Sequence, residues 1–349
     1  MFQDLTPEEW AALRLRKELV LIDVRSPSEF EEATIPGSVN IPLFDDKERA
    51  EIGTLYKQTS IAAAKERGLE IVSAKLPAFI RSFTALEGKK AVFCWRGGMR
   101  SKTSATVLSL MGIHAYRVAG GYRAYRQWVV QQVEELPIPE QVFVIHGNTG
   151  SGKTALLRML KQKGYPVMDL EGMAGHRGSI FGQIGLRAHN QKTFDSLLVD
   201  ELLQLRDSSY MLMEAESKRI GRVVLPERLL EKKERGVHLL VELPMEARIQ
   251  TILDDYQPWD HHEACLEAFK GIKARIHTPI AVEIEGCLRT ERYDRAVEMM
   301  LTHYYDPRYE HSTQQYEDVQ FETIRVDSVE EAALAVESRL PQPRAGMHA

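Results

Sequence analysis

Two short glycine-bearing loops hold the residues best placed to do chemistry. Residues 147–154 read Gly147-Asn148-Thr149-Gly150-Ser151-Gly152-Lys153-Thr154 and match G-x-x-x-x-G-K-[ST] at every fixed position. The apolar run QVFVIH (141–146) precedes them and ALLRMLKQ follows. Glycines let backbone amides curl around phosphate oxygens, and a helix N-terminus adds a favourable dipole. Lys153 supplies a point charge, and the Thr154 hydroxyl can ligate Mg²⁺. The motif predicts a bound polyphosphate without saying which one. In the second loop, Cys94 ends the run AVFCW and is followed by Arg96-Gly97-Gly98-Met99-Arg100, with a helix expected from Ser101. This C-x5-R spacing wraps amides around an anion in front of the sulfur. Arg100, Arg96 and the helix dipole all favour the thiolate, a nucleophile able to carry a covalent intermediate.

Other reactive side chains are less distinctive. Asp169, Glu214 and Glu216 follow apolar runs and are the nearest acids to the phosphate loop, but none stands out as a metal ligand, so no metal site is assigned. Asp254-Asp255 reads as a helix end, since Pro258 interrupts the acidic run. Residues 172–185 combine five glycines with His176 and Arg177, which suits a mobile lid or substrate clamp beside the phosphate site. Cys265 and Cys287 lack basic neighbours and read as structural; HisHisGluAlaCys (261–265) has poor metal-ligand spacing.

The elements that carry these loops form two series. In the first, LVLIDVR (19–25) and AVFCW (91–95) read as buried strands, and HAYRVAGGY (114–122) as a short strand and glycine turn. Ser26 and Pro27 open a helix, and residues 74–86 predict another. Residues 133–140, with two prolines and three acids, read as a linker. The pattern then restarts with strands expected at 141–146, 166–170, 210–215, 237–243 and 321–326, and a helical insertion over about 246–304. Strands alternating with helices predict an α/β fold with parallel sheets. The expected domains are 1–132 and 141–349, with a frayed tail over 341–349.

A length of 349 residues fits two or three domains. No apolar run approaches the roughly 20 residues of a membrane span, and the acidic N-terminus MFQDLTPEEW lacks a secretory pattern, so the expectation is a cytosolic protein. Net charge is −5, yet residues 81–130 hold nine Lys and Arg against one acid. Such a basic segment suggests an anionic partner or a solvated face.

LIDVRSPSEF, IPGSVNIP, CWRGGMRS and AGGYRAY together resemble a rhodanese domain over about residues 5–130. The fusion of that domain to GNTGSGKT and then HRGSIFG resembles the tRNA 2-selenouridine synthase family along nearly the whole chain. The resemblance implies a rhodanese-like α/β domain followed by a P-loop α/β domain with a helical subdomain. It also implies a transferase acting at the wobble uridine of tRNAs for Lys, Glu and Gln. Geranyl diphosphate would alkylate the sulfur of 2-thiouridine, and selenium from selenophosphate would then replace that sulfur. Cys94 would carry the selenium, with Arg96 and Arg100 in its loop; Gly147 to Thr154, with His176 and Arg177, would hold the diphosphate. No tightly bound cofactor is expected, Mg²⁺ is allowed for, and the expected form is a monomer without membrane contact. Trp95 is open between core packing and stacking on the exposed base. Two other readings remain: a nucleotide-binding regulatory module, and a C-x5-R phosphatase fused to a small-molecule kinase. The absence of His before Cys94, where Phe93 stands, argues against the phosphatase.

Overall fold

Apolar runs broken by glycine turns settle as parallel strands covered by helices, once in each half of the chain. The computed structural model describes residues 2–16, 18–308 and 320–342. The chain splits into two compact units, Met1–Glu135 with Asp195–Asp200, and Leu136–Phe194 with Glu201–Ala349. Residues 343–349 of the tail expected to fray lie outside the described residues.

The first unit runs β1 (Asp4–Leu5), α1 (Pro7–Leu15), β2 (Leu19–Asp23), α2 (Pro27–Glu32), β3 (Val39–Asn40), α3 (Asp46–Gln58), α4 (Ile61–Thr84), β4 (Lys89–Phe93), α5 (Met99–Leu110), β5 (Ala115–Val118) and α6 (Gly121–Glu135). The strand order is β1-β5-β4-β2-β3 and every pairing is parallel. Ala91, Val92 and Phe93 on central β4 are wholly buried, as expected for a sheet covered on both faces. Helix α4 begins thirteen residues before the expected position 74, where the Ser60 side chain accepts from the Ala63 amide at 3.0 Å. Gly68 hides its start in the sequence; in the fold this glycine is buried beside the Phe44 ring. Helix α5 starts at Met99 rather than Ser101, so Ser101 sits inside the first turn. Helix α6 continues through Val133–Glu135, so only 136–140 of the expected linker is non-helical.

The second unit runs β6 (Gln141–His146), α7 (Lys153–Gln162), β7 (Val167–Met168), α8 (Leu170–Ala174), α9 (Gln191–Leu205, of which Asp195–Asp200 is counted with the first unit), β8 (Tyr210–Glu214), β9 (Arg219–Ile220), β10 (Val223–Val224), α10 (Glu227–Glu234), β11 (Val237–Glu242), α11 (Met245–Tyr256), α12 (His262–Lys273), α13 (Thr278–Arg289), α14 (Tyr293–Met300), a π turn (Leu301–Tyr305), β12 (Phe321–Arg325) and α15 (Val329–Glu337). Its main sheet is parallel, in the order β12-β11-β6-β8-β7. The strand expected at 166–170 is only two residues long, because the Asp169 side chain caps α8 through the Gly172 amide at 2.7 Å. The hairpin β9–β10 was not expected from the sequence pattern. Leu156, Leu157 and Leu160 of α7 share a core with Ala332, Ala333 and Val336 of α15. Helices α11 to α14 build a separate core around Phe269, Ile272, Ile284 and Met299. Among the described residues no helix is long and apolar enough to cross a membrane.

One buried ion pair organises the first unit. Asp23 and Arg25 are 0% and 2% exposed, and the guanidinium grips both carboxylate oxygens and the Ala33 carbonyl. Asp23 also accepts from Thr34 Oγ1 at 2.9 Å and from the Arg25 amide at 2.9 Å. Removing one partner strands the other charge in a dry core. Asp23→Ala is therefore expected to lower unfolding free energy by about 3–5 kcal/mol, read from urea denaturation of the whole chain.

Candidate functional site

The Cys94 loop leaves β4 and enters α5, and its carbonyl oxygens are tied back from three directions. The Tyr122 and Arg123 amides, at the start of α6, donate to the Cys94 and Trp95 carbonyls at 2.8 and 2.9 Å. Arg117 Nη1 donates to the Gly97 carbonyl at 3.0 Å, while its other nitrogens pair with Asp4. The N–H groups of Trp95, Arg96, Gly97 and Gly98 find no acceptor among the described residues. Gly121 makes the close approach possible: a Cβ there would lie 2.2 Å from the Cys94 oxygen, at a φ of +63°. Cys94 is buried, with its Sγ 3.2 Å from Ser101 Oγ. Arg100 pairs bidentately with Glu29 of α2. Burial opposes its charge, yet Glu29, Cys94 and Asp23 hold its pKa above the ordinary value. Arg96 is exposed and, among the described residues, in no ion pair.

The basic segment around this loop is less positive than its composition. Lys89, Arg100, Arg117 and Arg126 are paired with Glu18, Glu29, Asp4 and Asp195. Arg81, Arg96, Lys102 and Arg123 are exposed and in no ion pair among the described residues.

The phosphate loop follows the same plan. It leaves β6 and enters α7, with Gly150 and Gly152 at φ of +83° and +70°. Lys153 Nζ donates to the Gly147 carbonyl at 2.8 Å, and Arg248 Nε donates to the Thr149 carbonyl at 3.0 Å. Arg248 is buried and doubly bonded to Asp306, which also accepts from Asn148 Nδ2 at 3.3 Å. The N–H groups of Thr149, Gly150, Gly152 and Lys153 donate to nothing among the described residues. Ser151 is buried, and its hydroxyl has no partner there either. All eight motif residues line one cleft of about 760 Å³. Arg248 was missed in the sequence, which gives no hint that an arginine about a hundred residues downstream braces this loop.

The acids sort themselves by position. Glu171, not singled out by the sequence, accepts from Thr154 Oγ1 at 2.6 Å and lines the cleft. Glu216 lines it too, and burial together with the neighbouring Glu171 charge pushes its pKa up to about 7. Glu214 is fully buried, accepts from the Leu170 amide at 3.1 Å, and burial holds it well above the usual carboxylate range. At the end of β6, burial and the charge of His238 hold the His146 pKa down to about 3, so this ring on the cleft wall is neutral.

The glycine-rich loop expected to act as a lid or clamp is bonded to α11. Arg177 donates to the Ile184 and Asp255 carbonyls at 2.8 and 2.6 Å and lies 4.6 Å from the Tyr256 ring centre. Ser179 Oγ meets Tyr256 Oη at 2.9 Å. Arg177 lines the cleft; His176 does not. The His176 ring packs between Gly182 and Gly221, where a Cβ would lie 2.9 or 2.7 Å from it. A second, almost wholly apolar pocket adjoins the cleft and shares Thr149, Ser179, Ile252, Tyr256 and Tyr305 with it. Its remaining walls are Phe181 and side chains of 258–301, including Leu288, Val297 and Met300. Cys265 lies in this wall, and burial pushes its thiol up to about 11, which fits a structural rather than a reactive residue.

Comparison with known proteins matches these features. A family model described as the tRNA 2-selenouridine synthase AAA domain covers residues 140–278, and a rhodanese-like domain model covers residues 6–128. A tRNA 2-selenouridine synthase of Bdellovibrio bacteriovorus is 35% identical over 73% of this chain and 68% of its own. One from a Sulfurovum species is 32% identical over 83% and 88%, and one from Psychromonas ingrahamii 31% identical over 86% and 90%.

The raised Glu216 carboxyl makes stability depend on pH. Between about 4.5 and 7 the folded chain holds a proton that the unfolded chain releases, so stability falls as pH rises through that window. Glu216→Gln removes the effect. Its melting temperature relative to the parent is expected to climb from pH 5 to pH 8, as read by calorimetry.

Proposed function

The chain belongs to the tRNA 2-selenouridine synthase family, and from that premise we propose that it replaces the sulfur of 2-thiouridine with selenium at the wobble position of tRNA. In this reading the chemistry has two stages. The sulfur first attacks C1 of geranyl diphosphate; the S–C1 bond forms, the C1–O bond breaks, and diphosphate leaves. Selenophosphate seated in front of Cys94 then attacks C2 of the base through its selenium: the C2–Se bond forms, the C2–S bond breaks and geranyl thiolate leaves, and water cleaves the Se–P bond to release phosphate, with the Cys94 thiol at the reacting centre. Alkylation is useful because a thioether sulfur departs as a thiolate, a far better leaving group than the parent sulfur. The tRNAs for Lys, Glu and Gln are the proposed substrates.

One observation carries the choice of geranyl diphosphate: the phosphate cleft adjoins an apolar pocket, and five residues line both. A diphosphate head and a hydrocarbon tail need that pairing of surfaces. The free amides of Thr149, Gly150 and Gly152, with Lys153, face the cleft where charge develops on the departing diphosphate. Should Mg²⁺ accompany the diphosphate, the Thr154 hydroxyl and Glu171 carboxylate are the oxygens nearest to receive it. For the second stage, the open N–H groups of 95–98 offer a seat to the phosphate of selenophosphate in front of Cys94. Arg96 is free to meet that anion, whereas Arg100 acts by holding the loop to Glu29.

Two variants separate the stages. Cys94→Ser is expected to abolish 2-selenouridine while geranylated tRNA still forms. Lys153→Ala is expected to slow geranylation by about 100-fold or more, as for loss of one charge-stabilising donor. Mass spectrometry of nucleosides from tRNA incubated with each variant reads both. Full 2-selenouridine from Cys94→Ser overturns the assignment.

A further inference from the structure

Beside Cys94 a column of stacked groups rises from the core to the surface. At its base Asp23 fixes the Arg25 guanidinium, whose Cζ lies 4.3 Å from the centre of the Tyr122 ring. Tyr122 is buried and in turn supports Trp95, with ring centres 5.7 Å apart and planes tilted by 38°. The column ends there. The Trp95 indole is 39% exposed, although it is one residue from a cysteine that is almost wholly buried. The Trp95 carbonyl is held by the Arg123 amide, so its backbone is fixed as well as its ring. The aromatic face is thus open to solvent on a support fixed at both ring and backbone.

The surroundings indicate what covers it. Arg96, Lys102 and Arg123 belong to the same loop and to the first turns of the two helices bordering it, and all three are exposed. None is in an ion pair among the described residues, in contrast to Arg100 and Arg117 nearby. An apolar protein partner gains nothing from three uncompensated cations. A single-stranded nucleic acid uses both features, since bases stack on aromatic faces while phosphates meet the cations. Met99, 61% exposed, adds an adaptable apolar rim to the same loop.

We propose that the exposed face of Trp95 is the platform on which an unstacked RNA base rests when it is presented to Cys94, with Arg96, Lys102 and Arg123 meeting the flanking phosphates. This rests on the RNA reading above and assigns a residue to it. Trp95 is a binding and positioning residue; the chemistry belongs to Cys94.

The test is binding of an anticodon hairpin RNA carrying 2-thiouridine at the wobble position, compared with the same hairpin abasic at that position. Trp95→Leu keeps apolar bulk but removes the aromatic face, and Trp95→Phe keeps a smaller one. Leu is expected to weaken binding of the intact hairpin by about 5- to 100-fold, with Phe close to the parent. The abasic hairpin is expected to bind parent and Leu variant alike, because the stacking partner is gone. Iodoacetamide labelling of Cys94 at an unchanged rate verifies that the loop is intact in each variant. Equal affinity of parent and Leu variant for the intact hairpin overturns the platform and leaves the RNA reading standing. Failure of the parent to bind either hairpin overturns both.

Discussion

In each unit a chain leaving the carboxyl end of a parallel strand has to turn into a helix while its N–H groups stay unbonded. Unpaired amides are costly wherever water cannot reach them, so such a turn needs support from elsewhere. The support comes through the opposite half of each peptide group. In the Cys94 loop the carbonyls are held by the Tyr122 and Arg123 amides and by Arg117. In the phosphate loop they are held by Lys153 and Arg248. With the oxygens fastened behind, the nitrogens point forward, and both loops become cradles for anions. Glycine at 121 and positive φ at 150 and 152 let the backbones come close enough for this to work.

This arrangement explains which parts of the site were readable in the sequence. The cradles themselves are local: strand, glycine-bearing loop and helix run over 89–110 in one unit and 141–162 in the other, so their pattern survives in one dimension. Their supports are not local. Arg248 lies about a hundred residues beyond the loop it braces, and nothing in its neighbourhood distinguishes it from a surface arginine on α11. Arg100 too has a partner that its neighbours in sequence do not reveal: Glu29, 71 residues earlier, pairs with its guanidinium. The charge summed over 81–130 is likewise only partly available, since Glu18, Glu29 and Asp4 on other segments neutralise some of it. The fold class was legible because buried parallel strands keep their apolar runs, whereas β7 was overestimated because Asp169 ends it by capping the next helix.

The surroundings of the two cradles differ as the proposed chemistry requires. Around the phosphate loop the wall changes from polar to apolar at Tyr256 and Tyr305, which border both cleft and pocket. The glycine-rich segment 172–185 contributes to this boundary through Arg177, Ser179 and Phe181, and is bonded to α11 at Asp255 and Tyr256. Around Cys94 the surface is cationic and aromatic. A hydrocarbon tail suits the first, and a polyanion with exposed bases suits the second.

The central claim is that backbone N–H groups, freed by fastened carbonyls, are the ligands for the anion. Amide hydrogen exchange resolved by residue, with and without inorganic diphosphate, measures this on the intact chain. At a diphosphate concentration ten times its Kd, exchange at Thr149, Gly150 and Gly152 should slow by about tenfold, while strand β11 exchanges as before. Unchanged exchange at those three amides, with diphosphate bound, would contradict the account.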